Sequence, residues 1–156
     1  MAYTEGLSVG TKIYTKNAAP ATYDDDETTG FPGLAWTEVG EVESIGEFGG
    51  TATVTQFIPL STGVVKKYKG SNDYGQMAMV VGRLLSDAGQ VILLAGFDGA
   101  NRYVSHSFKV EAADTSVIYF TGKVASFSNQ INDANAVTKV SVNVDLDAAL
   151  VYVAPV

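Results

Sequence analysis

Alternation of apolar and polar residues is the clearest pattern in this chain. Over residues 138–146, Val140, Val142, Val144 and Leu146 fall on one side and Lys139, Ser141, Asn143 and Asp145 on the other. That period of two belongs to a half-buried strand. Residues 103–110 alternate likewise, with Val104, His106, Phe108 and Val110 inward and Tyr103, Ser105, Ser107 and Lys109 outward. Residues 12–16 (KIYTK) form a first short strand, and residues 76–84 place Met77, Met79 and Val81 on one face. Residues 117–127 (VIYFTGKVASF) show little contrast between faces, which predicts a strand covered on both sides. Residues 148–153 (AALVYV) lose the alternation and read the same way. Residues 37–48 are strand-like, with Gly40 and Gly46 marking a bulge and an end.

One segment has the helical period instead. Ala88, Val91, Ile92 and Ala95 recur at i, i+3, i+4 and i+7, which predicts a helix over about 86–98 with that stripe inward. Ser86 or Asp87 supplies its N-cap, and Gln90 completes a capping-box spacing with Asp87. Gly99 suits a left-handed C-terminal cap. Two long connections remain. Residues 17–35 form a polar loop punctuated by Pro and Gly. Residues 46–75 hold Gly46, Gly49, Gly50, Gly63, Gly70 and Gly75, so a hairpin of 51–57 with 64–69 would be a protruding arm weakly tied to a core. The expected fold is mainly β: a sandwich or barrel of seven or eight strands with one packed helix, in a single domain over 1–156.

Composition changes this picture modestly. Charged residues make up 17% of the chain, below the roughly 25% of ordinary soluble domains, a hint of subunit contacts. With no cysteine, disulfides, thiolate metal sites and cysteine nucleophiles are excluded. The opening MAYTEGLSVG has neither a basic segment nor an apolar core, so no secretory leader is expected. The longest nearly apolar stretch, residues 77–85, is too short to span a bilayer, and no membrane insertion is expected. Net charge is −7, and residues 1–50 carry all of it, with nine acids against Lys12 and Lys16. Residues 51–156 balance eight acids with eight bases. Tight nucleic-acid binding needs a clustered basic surface, and only Lys66, Lys67 and Lys69 gather here. Their better use is to complement the acidic first third of an adjacent subunit and so register assembly.

Candidate chemistry is thin. Asp24, Asp25, Asp26 and Glu27 are consecutive, so their carboxylates splay instead of converging on a cation, and the run reads as a solvated loop. His106, the single histidine, lies on an apolar strand face without the partners of a triad or zinc site. Glu38, Glu41, Glu43 and Glu47 form an acidic face more simply than a catalytic pair, with Glu41 and Glu43 on one side at period two. The Gly-rich pieces GEFGG and GFDGANR lack phosphate-loop spacing. No enzyme and no cofactor is indicated.

The order of four segments resembles the major tail tube proteins of lambda-like siphophages, a family similar in fold to the tubes of contractile tails and type VI secretion. Residues 36–48 (WTEVGEVESIGEF) look like the family's early strand and Gly-marked turn. Residues 67–76 (KYKGSNDYGQ) look like the end of its long loop. Residues 86–99 (SDAGQVILLAGFDG), with Gly89 and Gln90, are similar to its acid-then-GQ helix, and residues 119–128 (YFTGKVASFS) to the strand that follows. The resemblance implies hexameric rings whose inner strands close one large β-barrel, stacked head to tail through the long loop. It implies a virion tail protein assembled in the host cytoplasm, with a tape-measure protein, a tail terminator and distal tail proteins as partners. Double-stranded DNA would pass through the lumen without specific binding. Residues 46–75 match the stacking loop, which makes Phe57, Leu60, Lys66, Lys67, Tyr68 and Lys69 the expected contacts between rings, with Glu41 and Glu43 as lumen-facing acids. The alternative is another tail component, a baseplate, completion or decoration domain that does not polymerise alone. A small hydrolase or carbohydrate-binding domain would draw on Tyr3, Tyr14, Tyr23, Trp36 and Tyr68 as stacking platforms.

Overall fold

A computed structural model describes residues 8–155. The expectation of a mainly β chain with one helix holds. Strands β1 (Lys12–Lys16), β2 (Thr37–Glu38), β3 (Val42–Ile45), β6 (Gln76–Gly82), β7 (His106–Glu111), β8 (Val117–Gln130), β9 (Lys139–Leu146) and β10 (Val151–Val153) form one sheet. Its order is β2-β1-β7-β8-β9-β6-β3, with β10 added along the start of β8, and every pairing is antiparallel. Strands β4 (Thr51–Phe57) and β5 (Lys66–Asp73) pair only with each other. Helix α1 spans Ala88–Asp98.

The strands form where the period of two is cleanest. Met77, Met79 and Val81 of β6 stand beside Val144, Val142 and Val140 of β9, all buried. Phe108 of β7 pairs with Phe120 of β8, their rings stacked at 5.2 Å. Each such side chain contributes about 1.5–3 kcal/mol by leaving water. Val42 and Ile45 of β3 pack on this same core, so the sheet curls until its β3 edge faces β7 and β8.

The other face is covered only in part. The 17–35 loop crosses it and plugs Phe31, fully buried, flat against Tyr119 at 5.2 Å. Trp36 Nε1 donates to the Phe31 carbonyl (3.1 Å) and the indole leans on Tyr119. Tyr119, Phe120 and Thr121 are therefore buried in succession, as the low contrast of that segment predicts.

Several expectations need correction. Residues 37–48 are not one strand. Glu41 has φ 58, a left-handed conformation unusual for a residue with a side chain. The chain turns there, sending β2 to one edge of the sheet and β3 to the other. With Glu41 outside the strand, its period-two partnership with Glu43 does not exist. Residues 148–153 are not covered on both faces, because β10 is a short strand whose Tyr152 is exposed. Gly99 is extended (φ −105, ψ −157), not left-handed, and its N–H closes the helix on the Ala95 carbonyl.

The inward stripe of α1 is also different. Gly89, Gln90, Leu93 and Gly96 face the core, while Val91, Leu94 and Phe97 are exposed. The helix is apolar all round, so hydrophobicity alone does not orient it; close approach does. A Cβ on Gly89 would stand 2.5 Å from the Glu38 carbonyl oxygen, and one on Gly96 2.7 Å from His106 Nε2. Asp87 caps the helix by accepting from the Gln90 N–H (3.0 Å) and holds the Gly40 N–H (3.1 Å). The buried Gln90 side chain does not close a capping box. Its Oε1 accepts from the Leu84 N–H (2.9 Å), and its Nε2 donates to the carbonyls of Gly40 (3.1 Å) and Gly82 (2.9 Å).

Candidate assembly interface

Residues 46–75 hold the β4–β5 hairpin, which projects from the sheet. All of β5 is exposed, and all of β4 except the half-buried Ala52. Two glycines set the projection at its root. Gly50 (φ 114) lies so close to β5 that a Cβ would fall 2.5 Å from the Asp73 carbonyl oxygen, and Gly75 (φ 72) turns the chain into β6. Seven residues of β4, at about 3.3 Å each, carry the tip roughly 23 Å from the root.

Directly opposed residues of an antiparallel pair share a face, so the register sorts the expected contact residues. Thr55 stands opposite Tyr68 and Phe57 opposite Lys66; Val54 stands opposite Lys69 and Gln56 opposite Lys67. One face therefore carries Phe57 and Tyr68, diagonal neighbours, with Lys66 beside them. The reverse face carries Lys67 and Lys69. The tip adds further exposed apolar residues, Ile58, Leu60, Val64 and Val65, and Leu60 is fully exposed. An isolated two-stranded hairpin is at best marginally stable in water. Exposed apolar surface on this scale makes the hairpin a candidate interaction surface.

Below the root lies a groove of about 470 Å³ of mixed lining, with the apolar Val42, Ile45, Phe48, Val110 and Ile118 beside Ser8, Thr11, Glu43 and Ser44. It opens between β3 and the β7–β8 side of the curled sheet. Phe48 ends the strap leading into the hairpin and packs on Phe120 at 5.1 Å, so groove and root share a wall.

The uncovered part of the sheet's second face is polar. The register sets Gln76, Asp145 and Lys123 in one row, Ala78, Asn143 and Ser126 in the next, and Val80, Ser141 and Ser128 in a third. Its charges are largely paired within the chain. Lys139 Nζ lies 2.8 Å from Glu43 Oε2, Gln76 Nε2 donates to Asp145 Oδ1 (2.8 Å), and Lys123 Nζ lies 3.2 Å from Asp147 Oδ2. Burial raises the Asp147 pKa, but donation from Ser105 (2.5 Å), Thr121 (2.6 Å) and Lys123 outweighs it, so this carboxyl titrates below the ordinary range. Glu43 thus sits on the edge of this face with its charge already met. The alternation of residues 138–146 displayed the face in the sequence, and its Ser and Asn side chains were the available sign of a neutral wall.

The remaining candidates hold no catalytic constellation. Asp24 accepts from the Thr22 hydroxyl and the Asp26 N–H, and Asp26 accepts from the N–H groups of Thr28 and Thr29. These backbone hydrogen bonds hold the Asp26 pKa low, and both carboxylates are spent ordering their own loop. No group of three metal-ligating side chains gathers among the described residues. His106 is buried; its Nδ1 lies 2.9 Å from the Val104 carbonyl, and Nε2 faces Gly96 with no hydrogen-bond partner among the described residues. Burial depresses its pKa, so the ring is a neutral core side chain. Tyr14 and Tyr23 lie apart, Tyr14 under the Lys109 ammonium and Tyr23 against Phe31; Tyr3 lies outside the described residues. No helix among the described residues is long and apolar enough to cross a membrane.

The fold of this chain is similar to that of chains from several tail-like particles. A chain of the sheath/tube terminator of the extracellular contractile injection system PVC matches at TM-score 0.67 and 9% identity, over 98% of this chain and 100% of that one. A chain of the anti-feeding prophage baseplate matches at 0.65 and 8%, over 97% of each. A chain from the virion of a gene transfer agent matches at 0.58 and 13%, over 76% of this chain and 89% of that one. At such identities the likeness is one of fold. No protein-family model matches the sequence, and no curated protein matches it either.

Proposed function

We propose that this chain is a structural subunit of a phage-type tail, one that forms six-membered rings stacking into a tube. The exposed hairpin with an apolar face carries this reading, since it leaves unsatisfied surface that only assembly covers. The fold supports it through neighbours in tail-like particles. One of them, from an empty gene transfer agent tail with C6 symmetry, matches at TM-score 0.58. In this reading Phe57, Leu60, Lys66, Lys67, Tyr68 and Lys69 contact neighbouring subunits, and stacked rings form an open filament because the contact is heterologous. A tape-measure protein, a tail terminator and distal tail proteins complete the tail. The polar face of β6, β9 and β8, with Glu43 on its edge and Glu41 nearby, lines the lumen. A wall with its charges paired lets duplex DNA slide, because each free cation would add a salt-dependent hold on phosphate.

Negative-stain microscopy of the concentrated protein tests this. Tubes or six-fold rings with a central hole are expected; monomers that persist when tail partners are added would overturn it. A second reading rests on the terminator and baseplate neighbours, which match with higher TM-scores than the gene transfer agent chain. It makes the chain a ring at the tube's end. Rings that form singly and never stack would favour it.

A further inference from the structure

We infer that His106 makes the last turns of α1 an acid-released latch: a proton taken up at Nε2 frees the C-terminal half of the helix from the sheet while its N-terminal knot holds. The latch follows from how the ring is packed and does not depend on tube assembly. His106 is fully buried at the start of β7. Its Nδ1 lies 2.9 Å from the Val104 carbonyl, which fixes the proton there and leaves the lone pair on Nε2. Nε2 is directed at Gly96, where an added Cβ would stand 2.7 Å away, so the helix lies directly on the ring. An imidazolium in that place would carry a buried N–H with no acceptor among the described residues. Burial accordingly lowers the ring's pKa, against an opposing pull from the Val104 carbonyl.

The groups packed around the ring are neutral. Register places Gly122 of β8 opposite His106, and Val124, two residues on, touches the Gly96 position as well. Strand β1 supplies Thr15 beside Phe108; it is buried, and its hydroxyl lacks a partner among the described residues. Lys109 and Glu111 of β7, and Tyr119 and Lys123 of β8, alternate onto the other face of the sheet. Lys12, Tyr14 and Lys16 of β1 do the same, and Glu38 of β2 follows Tyr14. On the helix, Asp98 is exposed and Asp87 is spent on the N–H groups of Gln90 and Gly40. Arg102 lies over the exposed Tyr103 ring in the connection to β7. The helix is unevenly held. Asp87 and Gln90 tie its first turn to Gly40, Gly82 and Leu84, whereas beyond Leu93 only Gly96 is buried. After Asp98 the chain runs through turns closed by the Arg102 N–H on Gly99 (3.3 Å) and the Val104 N–H on Asn101 (3.1 Å), so this end can lift while the knot stays. Lifting wets the ring and restores its ordinary value of 6.5. Each pH unit below that multiplies the opening equilibrium by up to about tenfold, until the closed-state value is reached.

As the single histidine of the chain, His106 gives one imidazole signal, and NMR follows its titration in the native protein from about pH 7.5 to about pH 4.5. Amide hydrogen exchange over the same range, corrected for its intrinsic pH dependence, reads the opening of each segment. Protection of amides 94–98 is expected to fall several-fold to about tenfold per pH unit below 6.5, in step with the ring, while β6 and β9 keep theirs. His106→Leu and His106→Gln take up no proton at this position and should lose that fall. If neither variant folds, the comparison of ring and helix within the native chain decides between the outcomes. A ring that titrates while amides 94–98 stay protected shows a closed site that accepts the charge, and overturns the latch. A fall shared equally by β6 and β9, or one that persists in the His106 variants, overturns it too. So does a helix whose protection is unchanged down to the acid unfolding of the whole chain.

Discussion

Replacing Gln90 tests whether the helix is held by the polar knot at its N-terminus. This fully buried side chain satisfies the Leu84 N–H and the carbonyls of Gly40 and Gly82. It thereby ties α1 to the turn between β2 and β3 and to the end of β6. Gln90→Met keeps nearly the same volume and removes all three hydrogen bonds, so the cavity term stays small. At about 1 kcal/mol for each bond, the loss is about 3 kcal/mol, and more where a carbonyl stays dry. That is a large share of the 5–15 kcal/mol typical of a folded domain. For a chain of this size it corresponds to a fall in Tm of roughly 6–12 °C. Urea unfolding should show a lower midpoint with an unchanged slope, since the surface exposed on unfolding is the same. Gln90→Glu should be worse near neutral pH, because a carboxylate cannot donate and would face two carbonyl oxygens. A Gln90→Met loss below about 1 kcal/mol would refute the argument and leave Leu93 and the glycine contacts as the main attachment.

Gly96→Ala should cost about 1–3 kcal/mol through overpacking, read as a lower Tm with helical circular dichroism retained, because the new methyl would meet His106 Nε2. Acidification should act in two windows. His106 titrates below its ordinary 6.5 when folded, so the folded state binds fewer protons than the unfolded. Its stability contribution is whole above pH 6.5 and declines as pH falls below it; a His106→Leu variant should lose that decline. Asp147, held below its ordinary 3.8, adds a second decline only as pH falls past 3.8, and Asp147→Asn should remove it. Gly50→Ala should leave the sheet folded but misdirect the hairpin through its clash at the Asp73 carbonyl, so size-exclusion chromatography should show assembly lost. Asn143→Lys combined with Ser128→Lys should permit tubes yet slow DNA ejection; unchanged ejection would remove β8 and β9 from the lumen.

Most strands were legible because one face of each is wet and the other dry, and Val140, Val142 and Val144 show this at its plainest. The helix's existence was legible too, but its orientation was not. Periodicity counts apolar side chains, whereas α1 is oriented by what Gly89 and Gly96 lack. Gln90 was visible as a capping residue, but its bonds reach Gly40 and Gly82, partners that no local spacing reveals. The division of residues 37–48 between two sheet edges turns on the left-handed backbone of Glu41, a conformation its side chain does not announce. At the candidate interface the expected contact residues carried no sign of which face each occupies. Only the register separates Phe57, Tyr68 and Lys66 from Lys67 and Lys69.

That separation bears on how assembly is driven. A hairpin standing off the sheet gains nothing from the core, and at about 25 cal/mol per Å² its apolar side recovers free energy only against another surface. In the proposed tube, Lys67 and Lys69, on the reverse face, would meet an acidic neighbour while Phe57 and Tyr68 are buried. Exposed charge pairs of this kind supply registration more than affinity. Salt should therefore divide the two contributions. Raising ionic strength should slow assembly and loosen its register while leaving formed tubes largely intact, as followed by light scattering and microscopy. Tubes that dissolve promptly in high salt would show that the lysines hold the stack and that the apolar face does not.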